Sequence, residues 1–194
     1  PLLWHYVVHG WLYGERPPAS DVLYWNMDTT RMPYRMHEYY LREMYLNNNL
    51  VKPGALTIAG EPIELSRIHT PLYVVAAEDD HITPWRQVFR INNWVTGPKR
   101  FVLSSSGHIL GIVNPPVANK YGYWTNEESG ADPEAWLAAA THHAGSWWVD
   151  WGHWARAHGG KKVPARMPGS GALPVLEDAP GSYVTLRPAA NAAG

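Results

Sequence analysis

Acidic and imidazole side chains gather where two apolar runs end. "LYVVAA" (72–77) leads into Glu78-Asp79-Asp80-His81, and the run through Phe101-Val102-Leu103 leads into Ser104-Ser105-Ser106-Gly107-His108. A carboxylate beside an imidazole supports a definite chemistry: it holds one ring nitrogen as N–H and leaves the other to take a proton from a thiol or hydroxyl. Asp80 and His108, 28 positions apart, are the pair this arrangement selects. Each has a plainer role when taken singly. Asp80 can cap a helix that begins near Pro84, and His108 can be a hydrogen-bonded loop residue. Their joint placement favours the catalytic reading.

The elements between them must bring them together. "TPWRQVFRINNWV" spaces Trp85, Val88, Phe89 and Ile91 as one helical face, between the two apolar runs. Strand, helix and strand in about forty residues predict a parallel pair with a right-handed crossover. Functional groups of such sheets collect beyond the carboxyl ends of the strands, so the two loops should face each other. Gly107 would allow a sharp backbone turn there, and the three serines a close approach of loops.

Elsewhere, residues 2–13 read as a short helix and "MHEYYLREMYLNNNL" as an amphipathic helix from Met36 to Leu50. "GALTIAGEPIEL" has the alternation of a small hairpin. Helix is expected from Pro133 to His142 with Asp132 as N-cap, and again from Trp147 to Ala157, with Gly145 dividing them. Trp147, Trp148, Trp151 and Trp154 recur at helical spacing as packing anchors. From Gly159 onward the Gly, Pro, Ala and Ser content predicts a loosely ordered tail, with one short strand at "SYVTL".

Composition narrows the function. Sixteen basic and seventeen acidic residues give a net charge of -1, which disfavours nucleic acid and anionic membrane surfaces as partners. No apolar run approaches the ~18 residues of a membrane span, and no signal peptide is present, so the expected location is cytoplasmic. The absence of cysteine excludes disulfides and thiolate metal sites, and no histidine spacing suggests a metal centre.

Acid then histidine, each at a strand end, is the order of the α/β-hydrolase class, in which a nucleophile on a glycine-flanked elbow comes first. Upstream of Asp80 the serines are Ser20 and Ser66, neither flanked by glycine, and residues 1–70 offer at most a hairpin. The expected fold class is therefore α/β, the carboxyl-terminal portion of an α/β-hydrolase fold and incomplete on its own. Residues 1–158 would form that portion, with cap-like helices within 1–50, and residues 159–194 the tail. A chain that starts at Pro1 fits a piece of a longer enzyme.

"LYWNMDTTRMP", "YYLREMYLNNNLVKPGALTIAG", "EDDHITPW", "SSSGHILGIVNPP", "YWTN" and "GSWWVDW" together resemble the carboxyl-terminal third of the class I polyhydroxyalkanoate synthases, over roughly residues 1–158. The resemblance implies an acyltransferase that polymerises (R)-3-hydroxyacyl groups from coenzyme A thioesters on a catalytic cysteine. That cysteine would lie outside this chain. On matching positions Asp80 is the catalytic aspartate and His108 the catalytic histidine, while His81 and Asp28 fall on substrate-binding or structural positions. The family's acid motif reads Arg-Glu-Asp-His; here Glu78-Asp79-Asp80-His81 makes Asp79 the second choice. The resemblance further implies no cofactor beyond the coenzyme A thioester substrate, a homodimer, and work on the growing polyester at granule surfaces. A granule-binding piece without catalysis, and an esterase or depolymerase, are the rival functions.

Overall fold

A computed structural model describes residues 4–5, 7–16, 21–27, 31–128 and 130–186. After a π-helical turn at Val7–Leu12, helix α1 spans Asp21–Met27 and α2 spans Tyr34–Tyr40, continued by a π-helical turn at Leu41–Leu46. α2 starts just after Pro33, whose carbonyl accepts from the His37 N–H, and the run stops where Asn48 turns left-handed (φ 48°). The amphipathic stripe expected there is helical, but none of it is buried: Tyr45 is 70% and Leu46 77% exposed. Its apolar face is not covered within the described residues.

The hairpin is present as β1 (Thr57–Ile58) and β2 (Glu61–Pro62), antiparallel, with Thr57 opposite Pro62. Ala59 and Gly60 both take positive φ, 52° and 87°, as a two-residue hairpin loop that matches the strand twist requires.

β3 (Leu72–Ala77) and β4 (Lys99–Ser104) are parallel and in register from Leu72 opposite Lys99 to Ala77 opposite Ser104. Between them runs α3 (Trp85–Phe89), followed by a 3₁₀ turn at Arg90–Asn93. β5 (Gly122–Thr125) joins β4 antiparallel, α4 covers Pro133–Ala138, and β6 (Thr141–Ala144) joins β5 antiparallel. The sheet order is β3-β4-β5-β6, a mixed sheet of the α/β class. α5 (Trp148–His158) follows β6.

Period-two alternation decides what each face buries. Ala76, Phe101 and Leu103 meet Trp85 and Phe89 of α3 and Trp136 of α4 on one face. Val102 and Tyr123 meet Trp147 on the other, with Tyr73, Val75 and Trp148 against them. α5 is tied to the sheet by Asp150, which accepts from the Tyr73 hydroxyl (2.8 Å) and, in a bidentate pair, from Arg100 Nε (2.8 Å) and Nη2 (2.6 Å). Of the four tryptophans read as anchors, Trp147 is buried, Trp148 packs partly buried, Trp154 lies 5.4 Å from Tyr73, and Trp151 is exposed.

Three sequence expectations change. The helix from Pro133 ends at Ala138, and Thr141–Ala144 is a strand. Alanine-rich periodicity suggested continuation, but His143 stacks on Tyr123 at 4.9 Å and His142 meets Trp124 at 4.9 Å, cross-strand pairs that outweigh local propensity. β5 was not foreseen as a strand; with four residues it shows too little periodicity to read alone. "SYVTL" forms a 3₁₀ turn at Tyr183–Thr185, since no strand among the described residues pairs with it. Among the described residues no helix is long and apolar enough to cross a membrane.

Candidate functional site

The ladder between β3 and β4 continues past the strand ends: the Glu78 N–H donates to Ser104 O (2.8 Å) and the Asp79 N–H to Ser106 O (3.0 Å). These bonds fix the two loops side by side. Asp80 then turns inward, its side chain 4% exposed, while that of His108 is 44% exposed. Oδ1 of Asp80 accepts from the backbone N–H groups of Ile82 and Thr83, both at 2.9 Å. Oδ2 accepts from the Thr83 hydroxyl at 2.7 Å and lies 2.8 Å from His108 Nδ1.

The Thr83 backbone N–H, above all, holds the Asp80 carboxyl well below the usual carboxylate range; burial opposes this, and His108, the Thr83 hydroxyl and the Ile82 N–H add to the lowering. An ionised carboxylate has no proton to give, so the proton in the 2.8 Å contact is assigned to His108 Nδ1. Nε2 is then the basic nitrogen, on a ring partly open to solvent.

This assignment fixes a sign. A carboxyl whose folded pKa is depressed stabilises the fold fully above its unfolded value of about 3.9 and loses that contribution as pH falls through the folded value. The stability gap between the native protein and an Asp80→Asn variant should therefore still be present at pH 5 and shrink as pH falls below about 4. Urea midpoints measured across that range check it; a gap that closes already near pH 6 would rule out the depressed carboxylate.

Of the predicted site residues, Asp80 and His108 are brought together. Asp79 is exposed and contributes only backbone to the pairing, so the neighbouring-carboxylate choice is resolved toward Asp80 as the partner of the imidazole. His81 follows Asp80 in sequence but is exposed. Asp28 lies outside the described residues.

The turn expected at Gly107 falls one residue earlier. Ser106 carries the positive φ, 75°, because its carbonyl is held by the Asp79 N–H, and the chain must reverse immediately after that bond. A Cβ on Gly107 would meet only Asp79 O at 3.8 Å. The glycine that space demands is Gly111, where a Cβ would lie 2.6 Å from the Ala77 Cβ and 2.8 Å from Gly107 O. Gly111→Ala should thus push the His108 turn off the end of β3 and destabilise by about 1–3 kcal/mol, read as a lowered urea midpoint. An unchanged midpoint would show that the loop yields freely.

Sequence reading missed Thr83 and Gly111. The spacing Asp80-x-x-Thr83 was a usable signal, since Asp side chains commonly take backbone N–H groups two and three residues on. Gly111 had no local signal; its need arises from the packing against Ala77.

No family model matches the chain. Curated relatives do. The chain is 45% identical over 186 residues to the poly(3-hydroxyalkanoate) polymerase subunit PhaC of Rhizobium meliloti, covering 96% of this chain and 30% of that protein. It is 44% identical over 187 residues to the poly(3-hydroxyalkanoate) polymerase of Methylorubrum extorquens and 42% identical over 188 residues to the polymerase subunit PhaC of Cupriavidus necator, again over 96% of this chain. The chain spans about a third of the length of these relatives. Similarity at this level runs through both strand-end loops and the sheet that holds them, so the chain is similar along nearly its whole length to one segment of the poly(3-hydroxyalkanoate) polymerases.

Proposed function

We propose that this chain supplies the acid and base of a polyhydroxyalkanoate synthase, an acyltransferase that polymerises (R)-3-hydroxyacyl groups and releases coenzyme A. The observation that carries this reading is the 2.8 Å contact between Asp80 Oδ2 and His108 Nδ1 beyond two parallel strands. The similarity to polymerases over 96% of the chain supports it.

His108 Nε2 takes the proton of a cysteine thiol supplied from outside these 194 residues, which contain no cysteine. The thiolate attacks the thioester carbonyl, the C–S bond to coenzyme A breaks, and the departing thiolate recovers the proton from the imidazolium. In elongation the same nitrogen, with Asp80 behind it, takes the proton from a 3-hydroxyl group whose oxygen attacks the enzyme-bound thioester; the C–S bond to the cysteine breaks, and the departing cysteine thiolate recovers the proton from the imidazolium. Asp80 stabilises the imidazolium in both steps.

The fold fits a larger enzyme. β3 pairs on one side only among the described residues, yet its sequence is apolar on both faces, as in an interior parallel strand. We read the sheet as the carboxyl-terminal portion of an α/β-hydrolase fold whose further strands lie beside β3. The water-insoluble product places the work at cytoplasmic granule surfaces.

The test uses the full-length polymerase that contains this chain, with a short (R)-3-hydroxyacyl-coenzyme A. Coenzyme A release should be matched by polyester; stoichiometric free hydroxy acid instead would make the protein a hydrolase.

A further inference from the structure

The stretch Ser146-Trp147-Trp148, read from sequence as packing, makes three directed hydrogen bonds to one turn. The Trp147 indole N–H donates to Gly111 O (3.1 Å), the Trp148 indole N–H to Ile112 O (3.0 Å), and the Ser146 hydroxyl to Asn114 O. We propose that Ser146, Trp147 and Trp148 are positioning residues that set the orientation of His108; this rests on the reading of His108 as the base.

His108 begins the turn that these donors close. Within it the Gly111 N–H donates to Gly107 O (2.8 Å) and the Val113 N–H to Ile109 O (2.7 Å), so the turn has helical form. Helical turns leave their last carbonyls without internal partners. Here the Gly111 and Asn114 carbonyls take their donors from Trp147 and Ser146, and the Ile112 carbonyl, which also accepts from the Asn114 N–H (3.2 Å), takes a second from Trp148. Gly111, Asn114 and Ser146 are buried, so the Gly111 or Asn114 carbonyl deprived of its donor would have no water to replace it.

The donors are themselves fixed. The Ser146 hydroxyl also accepts from the Trp148 N–H (3.1 Å). Trp147 stacks on Tyr73, with centroids 6.1 Å apart and planes at 27°, and the Tyr73 hydroxyl donates to Asp150, which Arg100 grips. Tyr73 lies on β3 and Arg100 on β4. The strand that presents Asp80 therefore also braces the clamp on the His108 turn, and acid and base are held against one frame. Packing alone needs the indole rings; the register of the turn needs their N–H groups.

The full-length polymerase tests this with 3-benzothienylalanine at position 147 or 148, which keeps the ring shape and replaces N–H by sulfur, and with Ser146→Ala. The readouts are backbone hydrogen exchange, kcat and KM for coenzyme A release, and melting temperature. The expected result is faster exchange confined to residues 107–114, with kcat reduced roughly ten- to hundredfold at unchanged KM. Unchanged exchange, a loosened turn with full kcat, or exchange rising equally across β4 and α5 would each overturn the proposal, the last by showing a merely structural role. His108→Gln is the control: full turnover in that variant would remove the base reading, while exchange would still decide whether the three donors hold the turn.

Discussion

His108→Gln in the full-length protein is expected, on the proposed synthase activity, to lower kcat for coenzyme A release by roughly 10²- to 10⁴-fold with little change in KM, the range over which a positioned proton acceptor accelerates a reaction. Glutamine is close in size and retains an amide that can donate to Asp80 Oδ2, so the buried carboxylate stays partnered and the loop keeps its form. What is lost is a nitrogen that can both take and return a proton near neutrality. The loss therefore falls on the chemical step rather than on substrate binding. Stopped-flow measurement of thiol release, with KM fitted separately, decides the matter. A variant with turnover within threefold of the native protein would show that His108 is a structural loop residue.

Asp80→Asn is expected to cost up to ~10⁴-fold in kcat, the scale seen when an amide replaces the orienting carboxylate of an acid-histidine pair. The physical reason lies in the four donors around this side chain. Oδ1 of an asparagine can still accept the Ile82 and Thr83 N–H bonds, which would leave its NH₂ where Oδ2 now lies, 2.8 Å from His108 Nδ1. Nδ1 would then have to accept, and the imidazole proton would move to Nε2, the nitrogen that must be free to act as base. The fold remains and the tautomer inverts. ¹⁵N chemical shifts of the His108 ring report that inversion directly, and turnover reports its consequence. Asp79→Asn is the companion experiment: Asp79 is exposed and its carboxylate is not part of the pair, so turnover should change by less than threefold. A large loss at position 79 with a small one at position 80 would reverse the assignment of the acid.

These two variants, together with Gly111→Ala and the acid-range stability of Asp80→Asn, probe different links. The first pair tests the proton chemistry. Gly111 tests how closely the His108 turn is seated on Ala77, and the acid series tests the charge on the carboxylate.

The sequence by itself determined the parallel strand pair, because the apolar runs at 72–77 and 101–103 are separated by a clear helical face. It determined that Asp80 and His108 meet, since parallel strands in register deliver their carboxyl ends to the same edge. It determined a small hairpin within residues 54–65, though read around Gly60-Glu61, whereas the turn falls on Ala59-Gly60. The tertiary structure alone decided the rest. β6 exists because His142 and His143 find Trp124 and Tyr123 across the strand, contacts between residues 18 or 20 apart that no local window contains. Only the fold shows that Ser106, rather than Gly107, bears the reversal, because the carbonyl bond that forces it comes from the neighbouring loop. Only the fold turns the tryptophans at 147 and 148 from packing anchors into donors to the His108 turn, 36 residues earlier in the chain. Local periodicity records which residues avoid water; which carbonyl an indole N–H reaches depends on where distant segments come to rest.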